Sequence, residues 1–443
     1  MRLSNKEWKL RENRLQDLLD FLKPVPEEFI AHQFTENEIV PRYCDSWEEL
    51  SEAWGEAVKV TTGFLDSLAF MLACVCSTPS IGDQLWIKII SPPSSGKSTL
   101  AEALAVAKDY VMAVSKISGF HTGHAQIAED ETLLHRVCGK TLIIKDADTL
   151  LQSSNLAEIF SELRDIYDRV TRSEYRNGIQ RNHEDHYMTV ILCGTSSIHT
   201  MDDSELGQRF LDFVLMEDID PDLEEDILNR VVDKAERAVS KEVGDGSKGQ
   251  HLPEMLNAME LTGGYVEFLR KRSIELLNEI EFPNSAKEKI KSFARFVSYM
   301  RASPSKLQDK KQERELSARL ASQLVRAAMC IAVVLNRDAI DSEVLRIVRL
   351  VAVHTASGKS VNLCSVLYDA NMPLGTKAIS IRSNMGEADV RRYMRFLGVL
   401  GVTQQNAKRQ WELTADSRKL HRTVLHPRKI GKKRKKKRSR QKP

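Results

Sequence analysis

The stretch Ser91-Pro92-Pro93-Ser94-Ser95-Gly96-Lys97-Ser98 constrains this chain more than any other. It follows an apolar run, Leu85-Trp86-Ile87-Lys88-Ile89-Ile90, that reads as a buried strand, and it opens a helical pattern over Thr99–Lys108. A strand, a tight loop carrying Gly-Lys-Ser and then a helix is the setting of a phosphate-binding loop (P-loop). Backbone N–H groups wrap round the phosphates and the helix N-terminus points at them. On this reading Ser94, Ser95, Gly96, Lys97, Ser98 and Thr99 cradle ATP, Lys97 contacts the β- and γ-phosphates, and Ser98 binds Mg²⁺. Ser91 stands where the usual motif has its first glycine.

The surrounding pattern alternates. Further short apolar strands are expected at Tyr110–Val114, Thr141–Ile144, Met188–Cys193 and Phe213–Met216, with a long helix over Asn155–Val170. Strands of this kind separated by helices predict an α/β fold whose parallel sheet is covered on both faces. A nucleotide site needs an acid at a neighbouring strand tip. Leu142-Ile143-Ile144-Lys145-Asp146-Ala147-Asp148 supplies two. Asp146 either belongs to the Mg²⁺ shell or takes the place of a water-activating carboxylate, with Lys145 in the metal acid's position. Asp148 either supports it or caps the next helix. Thr195, after the fourth strand, offers a hydroxyl to orient water or serves an ordinary turn. Arg209, just ahead of the fifth strand, either reaches a neighbouring subunit's γ-phosphate or makes a surface salt bridge.

The flanks differ from this core. Residues 1–60 read as a polar, helical segment, with one helix over Trp8–Leu22, and fit a packing or partner-docking arm. Residues 61–220 form the ATPase core and open with an apolar helix over 61–83. Residues 221–358 read as all helical; the last helix is marked by Asp341 as N-cap, Glu343 in its first turn and Gly358 beyond its end. Over 359–425, helices near Val361–Asp369, Thr376–Ser383 and Glu387–Leu400 precede a two-stranded ribbon through Val402-Thr403 and Trp411-Glu412-Leu413, the pattern of a winged helix-turn-helix. The tail, 426–443, is read as disordered. Its residues 428–443 hold eleven Lys or Arg and no acid, so the net charge of +3 conceals a body of −8.

At this point the chain resembles AAA+ ATPases, especially helicase-type ATPases of phages and mobile elements. The matching parts, in order, are Pro92–Thr99, Lys140–Leu151, Val190–Ser197, Glu205–Leu211 and Glu315–Leu320. The lid and winged helix also resemble those of minichromosome-maintenance helicases. The resemblance spans roughly residues 61–425. It implies an AAA+ parallel-sheet P-loop core with strand order 5-1-4-3-2, a helical lid, a C-terminal winged helix and a homo-oligomeric ring or filament. It implies Thr195 as sensor 1, Arg209 as arginine finger and Arg319 as sensor 2. The chain departs from the pattern at Ser91 and at Lys145-Asp146, where an Asp-Glu pair is usual.

Nucleic-acid contacts are expected in three places. Asn177-Gly178 is a hairpin-turn signal flanked by Tyr175, Arg176 and Arg181, where related helicases carry a basic pore hairpin; a solvated loop fits the same residues. Arg391, Arg392 and Arg395 lie on the expected recognition helix, and Lys408 and Arg409 on the wing. The tail suits any polyanion. These features imply a DNA-binding motor serving replication or maintenance of a phage or mobile element. The alternative is an ATP-gated switch that loads or recruits a replicase, transposase or nuclease. A replication or recombination partner protein fits both. Seven cysteines, an odd number mostly in apolar segments, suggest buried thiols in a reducing cytoplasm. His121 and His124 resemble metal-ligand spacing only weakly. The longest apolar run noted, Phe64–Cys76, is interrupted by Asp66 and Ser67 and is short for a membrane span, and the charged N-terminus is unlike a secretory signal.

Overall fold

The computed structural model describes residues 39–426, apart from 59, 94, 122–126, 175–179, 185, 201–208, 216–220, 240–251, 305–316 and 357. Two helices, α1 (Trp47–Ala57) and α2 (Thr62–Ser77), lead into β1 (Trp86–Ile90) and α3 (Lys97–Ala105). Then come β2 (Val111–Val114), α4 (Leu133–Val137), β3 (Thr141–Ile144) and α5 (Leu156–Tyr167). A ribbon of β4 (Val170–Glu174) and β5 (Gln180–Glu184) precedes β6 (Thr189–Gly194) and β7 (Phe210–Val214). The main sheet has five parallel strands in the order β2-β3-β6-β1-β7. Leaving the ribbon aside, that is the expected order 5-1-4-3-2.

Alternation along each strand builds two cores. Ile87, Ile89, Ile143, Ile191, Cys193, Leu211 and Phe213 face one side, where α2 lies. Trp86, Ile90, Leu142, Val190, Leu192 and Phe210 face the other and pack on Ile159, Phe160 and Leu163 of α5. Burial of both faces is why the strands read as continuous apolar runs.

The segment after β7 runs through α6 (Pro221–Val239), α7 (Pro253–Glu279), α8 (Asn284–Arg301), α9 (Ser317–Val334) and α10 (Ser342–Thr355). Helices α7, α8, α9 and α10 share one continuous core with the sheet and α2. α7 lies against α1, α2 and α3, α9 against α2 and α8, and α10 along β7. Helix α1, expected to lie in a separate front segment, belongs to this core: Trp54 is fully buried and its indole donates to Thr262 of α7 at 3.1 Å. Helix α9 begins in the Glu315–Leu320 stretch noted from sequence, and its 18 residues, with a mean hydropathy of 1.3, are long and apolar enough to cross a membrane, which the apolar runs noted did not include. More than half of it is buried against other helices, as a core helix would be. Asp66, which interrupts the apolar run of α2, is buried and accepts two hydrogen bonds from Arg346 of α10, one at 2.6 Å. The α10 start is as expected, with Asp341 Oδ1 accepting from Glu343 N and Val344 N at 2.9 Å each.

One strand sits elsewhere than its apolar pattern suggested. β7 begins at Phe210, three residues ahead of the expected Phe213, because a polar residue occupies its middle. Asp212 is paired in register with Lys88 at the centre of β1. Both are buried, with Lys88 Nζ 3.7 Å from Asp212 Oδ1 and His199 Nδ1 3.5 Å from Oδ2. Burial pushes the Asp212 carboxyl up, but Lys88, His199 and Arg301 outweigh it and hold it below its ordinary value. The outer edge of β7 is closed by side chains of α10: Asp212 N donates to Thr355 Oγ1 at 2.8 Å and Val214 N to His354 Nδ1 at 3.1 Å. That acceptor role needs a neutral ring, and burial lowers the His354 pKa to about 4.

C-terminal to this body, α11 (Lys359–Ala370), α12 (Thr376–Ser383) and α13 (Glu387–Val399) precede the ribbon β8 (Thr403–Gln405) and β9 (Trp411–Leu413) and a last helix, α14 (Ala415–Leu425). Leu374 and Trp411 exchange backbone hydrogen bonds at 2.9 and 2.8 Å, adding a one-residue third strand to the ribbon. The helix expected over Trp8–Leu22 and the basic tail lie outside the described residues.

Removing one member of the Lys88–Asp212 pair strands a buried charge. Asp212→Leu should lower unfolding free energy by about 3–5 kcal/mol in urea titrations. Lys88→Met together with Asp212→Leu should recover most of that loss; a double variant as unstable as the single would contradict the pairing.

Candidate nucleotide site

All five strands point the same way, so their C-terminal ends share one edge of the sheet. In open parallel sheets ligands bind at that edge. The loop expected to bind phosphate leaves β1 there. Ser91 is buried and its N–H donates to Gly194 O at the end of β6, 3.1 Å away. The Ser91 and Ser95 hydroxyls hydrogen-bond across the loop. The missing glycine is thus replaced by a residue whose side chain braces the turn. Gly96 precedes α3 with φ of 87°, a left-handed conformation in which a Cβ would also come 3.1 Å from Phe64 Cε2. Lys97 folds back over the loop, its Nζ donating to Ser91 O at 2.7 Å and Pro92 O at 2.9 Å. Burial lowers its pKa, with Cys193 and Asp148 acting the other way. Ser98 is exposed on the first turn of α3 and Thr99 half-buried beside it. Ser94 lies outside the described residues.

The two acids of β3 separate sharply. Asp148, in the 3₁₀ turn Ala147–Gln152, does not cap a helix. Its carboxylate accepts from Thr195 N at 2.8 Å, from Thr195 Oγ1 at 3.1 Å and from Ser197 Oγ. It ties the tip of β3 to the tip of β6, close enough to Lys97 to act on its charge. Gly194 makes this possible: a Cβ there would come 2.7 Å from Ile198 and 3.4 Å from Asp148 Oδ1. Asp146 is exposed, and only its carbonyl takes part in the turn, accepting from Thr149 Oγ1 at 2.7 Å. Lys145 reaches sideways to Glu102 of α3 at 3.2 Å. Asp148 and Thr195 form a constrained pair, and Asp146 is an exposed carboxylate beside it. Ser197 was not singled out, although Thr195-Ser196-Ser197 at a strand tip gives a local hint.

The two arginines lie at the other end. Arg209 precedes β7 and so sits about a strand's length, on the order of 13 Å, from the P-loop edge. It is 8% exposed, donates to Asp168 at 3.0 Å and lies 5.2 Å over the Tyr167 ring. Its carbonyl accepts from Gln323 of α9 at 2.7 Å. Arg319, on the first turn of α9, lies near enough to Tyr167 to lower its phenol pKa, though burial and Asp83 raise that group to about 12 overall. Within its own chain Arg209 makes the salt bridge that was the alternative reading of it. Arg319 lies one helical turn before Gln323, whose side chain donates to the Tyr167 hydroxyl at 3.2 Å. The sequence motif could not show this, because the burial of Arg209 comes from Asp168 and Gln323, far away in the chain.

Of the expected nucleic-acid residues, those of α13 and of the β8–β9 tip are exposed. β4 and β5 form an antiparallel ribbon from Val170↔Glu184 to Glu174↔Gln180; the Asn177-Gly178 signal between them lies outside the described residues. Arg181 lies on β5 opposite Ser173; Tyr175 and Arg176 lie outside the described residues. Arg391, Arg392 and Arg395 are exposed on α13, with Arg392 held by Asp389 at 3.3 Å. Lys408 and Arg409 are exposed at the tip between β8 and β9. His121 stacks on His183 at 5.1 Å. His124 lies outside the described residues, and among the described residues no group of three or more His, Cys, Asp or Glu is placed to hold a metal ion.

No protein-family model matches this chain, and no curated protein matches it. The site therefore stands on its own geometry.

The Asp148 clasp gives a direct contrast. Asp148→Ala should lower unfolding free energy by about 2–4 kcal/mol, from lost charge-assisted bonds and stranded donors. Asp146→Ala should change it by less than about 0.5 kcal/mol. Equal effects in denaturant titrations would contradict the clasp.

Proposed function

We propose that this chain is an ATP-hydrolysing, AAA+-type motor that acts on DNA, helicase-like in its parts. The observation that carries the proposal is the convergence of Lys97, Asp148 and Thr195 at the C-terminal edge of a 5-1-4-3-2 parallel sheet. The loop backbone and Lys97 would hold the ATP phosphates, and Ser98 with Asp146 would take Mg²⁺. These residues fit that group: Ser98 and Asp146 present exposed oxygen ligands, while Asp148 is engaged with Thr195 and Ser197. Bound Mg²⁺ would offset charge on the phosphates. Thr195, fixed by Asp148, would orient the attacking water.

The DNA half rests on other features. The β4–β5 hairpin stands off the main sheet immediately before β6. α11, α12 and α13 with the β8–β9 ribbon and the Leu374 bridge have the element order of a winged helix. α7–α10 would be the lid, although they share the sheet's core. One observation favours a second reading. Arg209 and Arg319 are engaged at the far end of the sheet, so a chain in this state would act as an ATP-gated loading or recruitment switch until a neighbour releases them.

Turnover decides between these. ATP hydrolysis should be measured without nucleic acid and with single-stranded DNA, duplex DNA and RNA, each at two salt concentrations. The motor predicts stimulation by DNA of roughly tenfold or more, lost in Arg176→Ala with Arg181→Ala while basal turnover remains. Turnover indifferent to nucleic acid points to the switch, and no turnover under any condition contradicts the ATPase itself.

A further inference from the structure

A basic cleft lies where α11 meets α14, apart from the recognition helix α13 and the wing. It has a volume of about 660 Å³ and is lined by Tyr368, Asp369, Asn371, Arg418, Lys419 and Arg422. The three cations sit at the first, second and fifth positions of one α14 stretch, which places them on one side of the helix over about 6 Å of its axis. Arg418 is fixed: it donates to Asn371 Oδ1 at 3.1 Å and lies 5.8 Å from the Tyr368 ring centre. Lys419 and Arg422 are exposed, and neither side chain makes an ion pair or hydrogen bond to a described residue. Tyr368 is half-buried at the cleft wall and stacks on His426, 4.7 Å away at an interplanar angle of 5°. The chain then continues from His426 into the sequence that holds eleven Lys or Arg in 428–443.

Three cations side by side are costly to gather unless an anion offsets their repulsion. An enclosed pocket with converging donors would suit a single small anion. This cleft is open, and its charges are spread along a helix beside an aromatic wall. We propose that the α11–α14 cleft binds the sugar–phosphate backbone of a nucleic-acid strand, with Lys419 and Arg422 on successive phosphates and Arg418 as the anchored cation. The assignment rests on the nucleic-acid half of the proposed function and adds a contact surface to α13 and the wing. Among the described residues that line the cleft Asp369 is the only carboxylate, and it opposes the strand. Phosphate contacts of this kind fix position without reading bases.

The full-length chain should be titrated against fluorescent oligo-dT and oligo-rU single strands by anisotropy over a range of KCl. Lys419→Gln with Arg422→Gln removes two contacts without touching the Arg418 hydrogen bonds. Binding should weaken roughly five- to twentyfold, and the slope of log affinity against log salt should become shallower by about 1.4. Asp369→Asn should tighten binding by about two- to fivefold. Turnover of ATP without nucleic acid and the melting temperature should stay unchanged in both variants. If the wild type binds a strand and the double variant binds it with the same affinity and slope, the cleft is not a contact surface, while the DNA reading survives. If the wild type binds neither oligomer, that reading fails and this one with it.

Discussion

Parallel pairing of β1 between β6 and β7 is the constraint on which the rest of the molecule depends. It brings the P-loop, the end of β6 and, through β3, the acidic turn to one edge of the sheet. It also requires that every one of these strands be buried on both faces. The helices on one face come from both sides of the strands in sequence, α2 before β1 and α7 to α10 after β7, while α5, between β3 and β6, covers the other. The C-terminal helices are therefore part of what makes the sheet possible.

Within that frame, polar groups set the fine positions. Asp148 fixes Thr195 and Ser197, Ser91 braces the loop, and Lys88 with Asp212 fills the centre of two strands with a charge pair. A buried pair of this kind is weak support for stability in itself. Here it lies beside His199, which belongs to the turn that follows Thr195. The turn Ser196–Thr200 carries both sets of contacts, Ser197 to Asp148 and His199 to Asp212.

Much of this was legible in the sequence where a local rule applied. The P-loop setting, the N-cap at Asp341, the three C-terminal helices and the ribbon that follows each rest on short-range patterns, and the structure has those elements. What failed to show were contacts across the chain. Asp212 broke an apolar run and shifted the expected start of β7, because its partner Lys88 lies in another strand. Asp146 and Asp148 look equivalent in a row of letters; only the approach of β6 distinguishes them. That Arg209 pairs with Asp168, and that its carbonyl meets Gln323, shows only once those residues are placed beside it. The basic residues of α14 were passed over because α11, about 50 residues earlier, supplies the other wall of their cleft.

The central claim is that the tips of β1, β3 and β6 form a single nucleotide site. Titration calorimetry with ATP and Mg²⁺ tests it most directly. The account predicts one ATP bound per wild-type chain and no measurable binding to Lys97→Ala, whose melting temperature without ligand should match the wild type. Equal binding by the two proteins, or no binding by the wild type, would contradict it.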